Sequence, residues 1–111
     1  MATKRRSKYG NTKVELDGIV FASKAEAKRY GDLKLLVQAG KITDLELQPK
    51  FDLFGEGHTK ICSYRADFQY TDVKTRRRVV EDVKGMKTPV YRLKAKLFLD
   101  NFGVPITEVQ A

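Results

Sequence analysis

Val79-Val80-Glu81-Asp82-Val83-Lys84-Gly85 is the stretch on which the fold turns. Its valines give it the pattern of a buried strand, and it ends in an acid and a lysine two positions apart. Residues two apart on a strand share a face, so Val80, Asp82 and Lys84 lie on one side and Val79, Glu81 and Val83 on the other. Asp82 is therefore the acid that can act with Lys84, and Glu81 is turned away. An acid and an amine side by side at the end of a buried strand suit metal-assisted phosphodiester hydrolysis, where one holds a cation and the other steadies charge. Their plain structural role would be an exposed Asp–Lys pair worth little.

Upstream, Lys13-Val14-Glu15-Leu16 and Ile19-Val20-Phe21 flank Asp17-Gly18, which predicts a hairpin. Ser23-Lys24-Ala25-Glu26 has capping-box spacing, so a helix should run from there to about Ala39 and stop at Gly40. From Asp44 to Leu53 the residues alternate, with Leu45, Leu47, Pro49, Phe51 and Leu53 on one face. This predicts one half-buried strand, with Pro49 marking an edge or bulge. After the Gly55–Gly57 turn, Cys62, Tyr64, Ala66, Phe68 and Tyr70 line one face of a second strand, with Ser63, Arg65, Asp67 and Gln69 on the other. A third strand spans about Arg77 to Lys84. Downstream, Thr88-Pro89 reads as an N-cap with proline at the first helical position. Val90 to Phe102 is helical, Gly103 caps it, and Val104 to Val109 forms a last strand. The expected order is hairpin, helix, three strands, helix, strand.

At 111 residues the chain suits one core. We divide it into a basic, flexible arm over residues 1–12 and a single domain over 13–111. Lys and Arg number 22 against 14 Asp and Glu, a net charge of +8, which is the footprint of a polyanion binder. Lys4, Arg5 and Arg6 of the arm and the Arg76-Arg77-Arg78 cluster are candidate phosphate contacts; solvated tails and turns are the plainer alternative. Cys62 and His58 are the only residues of their kinds. An intramolecular disulfide is thus excluded and a zinc site has little material, so a bound metal would be a hard cation on carboxylates. One cysteine fits a reducing cytoplasm, and no stretch has the length of a membrane span.

Two further acids complete a set. Glu26 falls on the helix stripe of Tyr30, Leu33 and Val37, where a carboxylate facing the core is unusual beyond its capping role. Asp67, in Tyr64-Arg65-Ala66-Asp67-Phe68, is by itself an ordinary strand acid. Taken in order, Ser-x-x-Glu on a helix, Gln48-Pro49 on a strand, Tyr-x-x-Asp-Phe and Glu-Asp-Val-Lys-Gly resemble the PD-(D/E)XK nuclease superfamily across residues 21 to about 102. The nearest likeness is to small phage-encoded endonucleases. Very-short-patch repair nucleases, transposon end-cleaving nucleases and phage Holliday-junction resolvases are similar more distantly. Ala66 stands where the superfamily commonly has proline.

The resemblance implies an α/β fold: a restriction-endonuclease-like αβββαβ core, with a mixed sheet flanked by helices, beside the N-terminal β-hairpin. It implies that Asp67 and Asp82 are metal ligands together with the Val83 carbonyl, that Lys84 orients water or steadies charge, and that Glu26 completes the site. Gln48 corresponds to a polar residue on the first core strand. The implied cofactor is Mg²⁺, with Mn²⁺ as substitute. The implied activity is hydrolysis of DNA by an endonuclease in phage DNA metabolism, in the host cytoplasm. No base-reading motif is visible, so a branched or distorted duplex such as a Holliday junction is the expected substrate. Paired cuts would call for a homodimer. Lys87, Arg92 and Lys94, near and on the second helix, add candidate DNA contacts, and Val90, Leu93, Leu97 and Phe98 should pack that helix. The alternative is a non-catalytic nucleic-acid-binding accessory protein on a nuclease fold.

Overall fold

The computed structural model describes residues 13–111. β1 (Val14–Leu16) and β2 (Ile19–Phe21) pair antiparallel as the Asp-Gly turn requires. Asp17 and Gly18 have φ of 55° and 76°, the mirror-image turn whose twist matches that of the strands. α1 (Lys24–Gln38) begins at Ser23, whose hydroxyl accepts the Glu26 N–H at 3.2 Å. It buries Ala27, Tyr30 and Leu33. The Tyr30 hydroxyl donates to Asp17 at 3.1 Å and ties the hairpin to the helix. Val37, expected on the inward stripe, is 42% exposed, because the last turn of α1 runs past the core and Leu36 makes the packing contact there.

The expected strand over 44–53 is two strands, β3 (Ile42–Leu47) and β4 (Lys50–Phe54). The second expected strand likewise divides into β5 (Lys60–Arg65) and β6 (Phe68–Asp72). Both breaks lie side by side: the Gln48 N–H donates to the Asp67 carbonyl at 2.9 Å and the Ala66 N–H to the Pro49 carbonyl at 3.0 Å. Gln48 has φ 52°, a left-handed conformation that turns the chain out of its extended path. One long hairpin is thus bent at its middle. Leu45, Leu47, Phe68 and Tyr70 pack on the α1 side, while Phe51, Leu53, Tyr64 and Ala66 join the core under the second helix. Residues of one parity serve two cores, which alternation alone does not reveal.

β7 (Arg78–Lys84) follows a turn at Arg76, and α2 (Pro89–Phe102) connects it to β8 (Thr107–Gln110). The main sheet has the order β3-β6-β7-β8, with β8 parallel to β7 and the other pairs antiparallel; β4 and β5 pair separately. The protein is therefore α/β, with a mixed sheet, two helices and an N-terminal hairpin. β8 starts later than the sequence suggests, after Pro105, which lacks the N–H a ladder needs. Thr88 caps α2 by accepting the Tyr91 N–H at 3.1 Å, and Gly103 closes it at φ 74°. Val90 and Leu93 do not pack the helix; they are 64% and 60% exposed. Leu97 and Phe98 pack as expected, and aromatic residues complete the buried face: Phe98 and Phe102 stand 5.1 and 5.3 Å from the Phe51 ring, and Tyr91 is buried beside them. No helix among the described residues is long and apolar enough to cross a membrane.

Candidate active site

β7 carries two neighbouring buried acids, and strand alternation sends them to opposite faces. Glu81, 1% exposed, faces α1, where Arg29 grips it with two bonds of 2.8 and 2.7 Å and the Tyr70 hydroxyl donates a third. This fork-on-carboxylate geometry satisfies the charge. The Glu81 pair raises the Arg29 pKa.

Asp82, 4% exposed, faces the α2 side. The Tyr64 hydroxyl donates to its Oδ2, and the Lys84 ammonium lies 3.5 Å from Oδ1. Asp67 sits at the hairpin bend, beyond the last β6–β7 pair, Phe68 with Glu81. There the Val83 N–H has lost its strand partner and donates instead to Asp67 Oδ2 at 2.7 Å. The N–H and C=O of a strand residue leave on the same side, so the Val83 carbonyl is directed to the edge on which Asp67 lies. Glu26 accepts the Ala22 N–H at 3.1 Å, and its charge is close enough to disturb Asp67.

Burial pushes the Asp67 carboxyl up to about 6; the Val83 N–H opposes this and the Glu26 charge adds to it. Burial likewise pushes Asp82 up to about 6, with the Tyr64 hydrogen bond opposing, the Asp67 charge adding and Lys84 opposing. Burial also raises the Tyr64 and Tyr91 phenols, each further raised by the acid it bonds, Asp82 and Glu108 respectively. Two carboxylates that disturb one another in a half-dry site, with one ammonium beside Asp82, form an acceptor site short of positive charge.

The four residues expected to carry chemistry are thus brought to one end of β7, Glu26 from α1, Asp67 from the bend, Asp82 and Lys84 from the strand itself. No three His, Cys, Asp or Glu side chains among the described residues are arranged to hold a metal ion by themselves. The closest donor set is the Asp67–Asp82 pair with the Val83 carbonyl, all hard oxygens.

The basic candidates are less concentrated. Gln48 is exposed and lies in the break between β3 and β4, not on a strand as expected, because its left-handed backbone ends the ladder. Arg76 and Arg77 are in the turn before β7, and Arg78 lies over the Phe51 ring, 5.5 Å from its centroid. The expected loop cluster is therefore divided by the start of the strand. Lys87 is held by Glu108 at 2.7 Å. Arg92 is exposed on α2 and Lys94 is half-buried. Lys4, Arg5 and Arg6 lie outside the described residues. A recess of about 240 Å³ is lined by Asp44, Glu46, Gln69, Tyr70, Thr71 and Arg78, and by none of Glu26, Asp67, Asp82 or Lys84.

Sequence reasoning passed over Arg29, Tyr64, Tyr91 and Glu108 as functional residues. Tyr64 stood within the quoted Tyr-x-x-Asp and was legible there; the other three meet the site only through the fold. Fold and site together define an α/β domain whose mixed sheet presents carboxylates and a lysine at the end of its third strand in sheet order, β7. The chain belongs to the family described as "Protein of unknown function (DUF1064)", whose model matches residues 6–107. No curated protein and no solved structure matches it.

Proposed function

We propose that this chain is a metal-dependent DNA endonuclease of the PD-(D/E)XK kind, with a restriction-endonuclease-like core. The observation that carries the reading is the convergence of Asp67 and Asp82, both pushed up to about 6, beside the Lys84 ammonium. A pure binder of phosphate gains nothing from buried carboxylates at that point, since they repel the ligand. The element order also supports it: counting each bent strand once gives αβββαβ, ending in a strand parallel to the one that bears Asp82.

The donor set fits Mg²⁺, with Mn²⁺ as substitute: a hard divalent cation takes carboxylate and carbonyl oxygens and relieves the repulsion of the pair. Asp67, Asp82 and the Val83 carbonyl would hold it, with Glu26 beside Asp67. When bound, the ion supplies Lewis-acid polarisation of a phosphoryl oxygen and acidifies a coordinated water. Tyr64 restrains the Asp82 carboxylate in its orientation. Lys84 meets a non-bridging phosphate oxygen and counters the charge that grows there during attack. The net charge of +8 draws the DNA backbone in. In this reading the substrate is branched or distorted DNA, the working form is a homodimer, and the setting is phage DNA metabolism in the host cytoplasm.

The test is cleavage of supercoiled plasmid and a labelled four-way junction in Mg²⁺, in Mn²⁺ and in chelator, beside Lys84→Ala and Asp82→Asn. Cutting that needs the metal and drops by about a hundredfold or more in either variant is expected. Cutting that survives both substitutions traces to a contaminant and removes the assignment. Junction binding without cutting would point to an accessory binding protein.

A further inference from the structure

We propose that Tyr91 is a positioning residue that seats the Lys84 ammonium for the phosphate, an inference that rests on the endonuclease reading above. The Lys84 Nζ lies 4.3 Å from the centroid of the Tyr91 ring. That is within the range in which the negative face of an aromatic ring attracts a cation. Among the described residues its one carboxylate contact is Asp82 Oδ1 at 3.5 Å, long for a charge-assisted hydrogen bond. The ring is therefore a second hold on the ammonium beside a long ion pair, and it acts without cancelling the positive charge or occupying all three N–H donors.

Tyr91 is itself held from three sides. Its backbone N–H is bonded to the Thr88 cap at 3.1 Å, which fixes it in the first turn of α2. Its hydroxyl donates to Glu108 Oε2 at 2.9 Å, and the other oxygen of Glu108 meets Lys87 at 2.7 Å. Glu108 stands opposite Asp82 in the β7–β8 ladder. The ring is 6% exposed and leans on Tyr64, centroid to centroid 6.4 Å, whose hydroxyl holds Asp82. Two adjoining tyrosines thus back the two adjoining groups of the strand end, Tyr64 the acid and Tyr91 the amine. A four-carbon stem that would otherwise sample many rotamers is confined to one direction.

A tyrosine that served only the core would be judged by its volume; one that seats Lys84 is judged by the face of its ring. Steady-state cleavage by Tyr91→Phe and Tyr91→Leu separates these. Tyr91→Phe keeps the ring and should stay within about threefold of wild type, whereas Tyr91→Leu should lose about tenfold in kcat with KM little changed. Adding Tyr91→Leu to Lys84→Ala should cost nothing more, because the group it positions is gone. Should the leucine variant fold poorly, phenylalanines of increasing fluorination at position 91 keep the shape and weaken the face, and kcat should fall step by step. Equal activity of Tyr91→Leu and wild type overturns the proposal, as does a tenfold loss that persists in the Lys84→Ala background or a flat fluorination series. Wild-type protein that never cuts overturns the endonuclease reading and this inference with it, an outcome distinct from a cutting enzyme indifferent to Tyr91.

Discussion

Glu81 and Asp82 are consecutive carboxylates, both almost wholly buried, and they have opposite surroundings. Each accepts from a phenol, but Glu81 also meets a guanidinium at bonding distance, whereas Asp82 meets a more distant ammonium and the charge of Asp67. The consequence is a pH dependence of definite sign. Asp67 and Asp82 have folded-state values of about 6 against an ordinary 3.8, so between those limits the native chain binds more protons than the unfolded one. In chelator the pair should therefore lower stability as pH rises from about 4 to about 6, and the deficit should persist above that window. Tm of wild type minus that of the Asp67→Asn/Asp82→Asn variant should fall across this range, and Mg²⁺ at neutral pH should recover it. A difference that is level or rises with pH contradicts the assignment. Parity along Val79–Lys84 already told which acid faces the lysine, since a period of two needs no partner to be read. The groups that meet those acids were beyond its reach: Arg29 is 52 residues from Glu81 and Tyr64 is 18 from Asp82.

The Arg29–Glu81 pair joins α1 to β7, and Arg29 lies one helical turn from Glu26. Arg29→Met keeps most of the apolar stem and leaves Glu81 buried without its cation, which should cost about 3 kcal/mol. Urea unfolding measures it; a change below about 0.5 kcal/mol would mean that the clamp contributes nothing to stability. Signals local to a few residues were legible at this scale. The Asp17-Gly18 turn, the Ser23 and Thr88 caps and the Gly103 stop all fall where the residue chemistry puts them. Pro49 marked an irregularity where the first strand breaks, but the full division of both strands was not legible, because the alternation through Gln48 and Asp67 continues unbroken while the chain bends between two cores. The same limit applies to α2. Leu97 and Phe98 pack as their apolar character predicts, but only the Phe51 ring on β4 shows that Phe102 joins them while Val90 and Leu93 stay outside.

A net charge of +8 is a property of the whole chain. If DNA is the ligand, its association should weaken steeply with salt, because each neutralised phosphate releases condensed cation. Anisotropy titrations of a four-way junction across about 50 to 200 mM salt should give a log–log slope of magnitude 3 or more, the mark of several phosphate contacts. A slope near zero would remove the phosphate backbone as the binding partner.

The turns, the helix ends and the face on which Asp82 and Lys84 stand are written in local residue order, because each depends on residues within about one helical turn or on a strand's period of two. Where the two long strands bend, which further residues of α2 join Leu97 and Phe98 in the core and which groups confront the acids emerge only once the chain is folded. Those outcomes follow from packing and hydrogen bonding between distant segments, above all the Asp67 carboxylate closing on the Val83 N–H and the Tyr91 ring lying against the Lys84 ammonium.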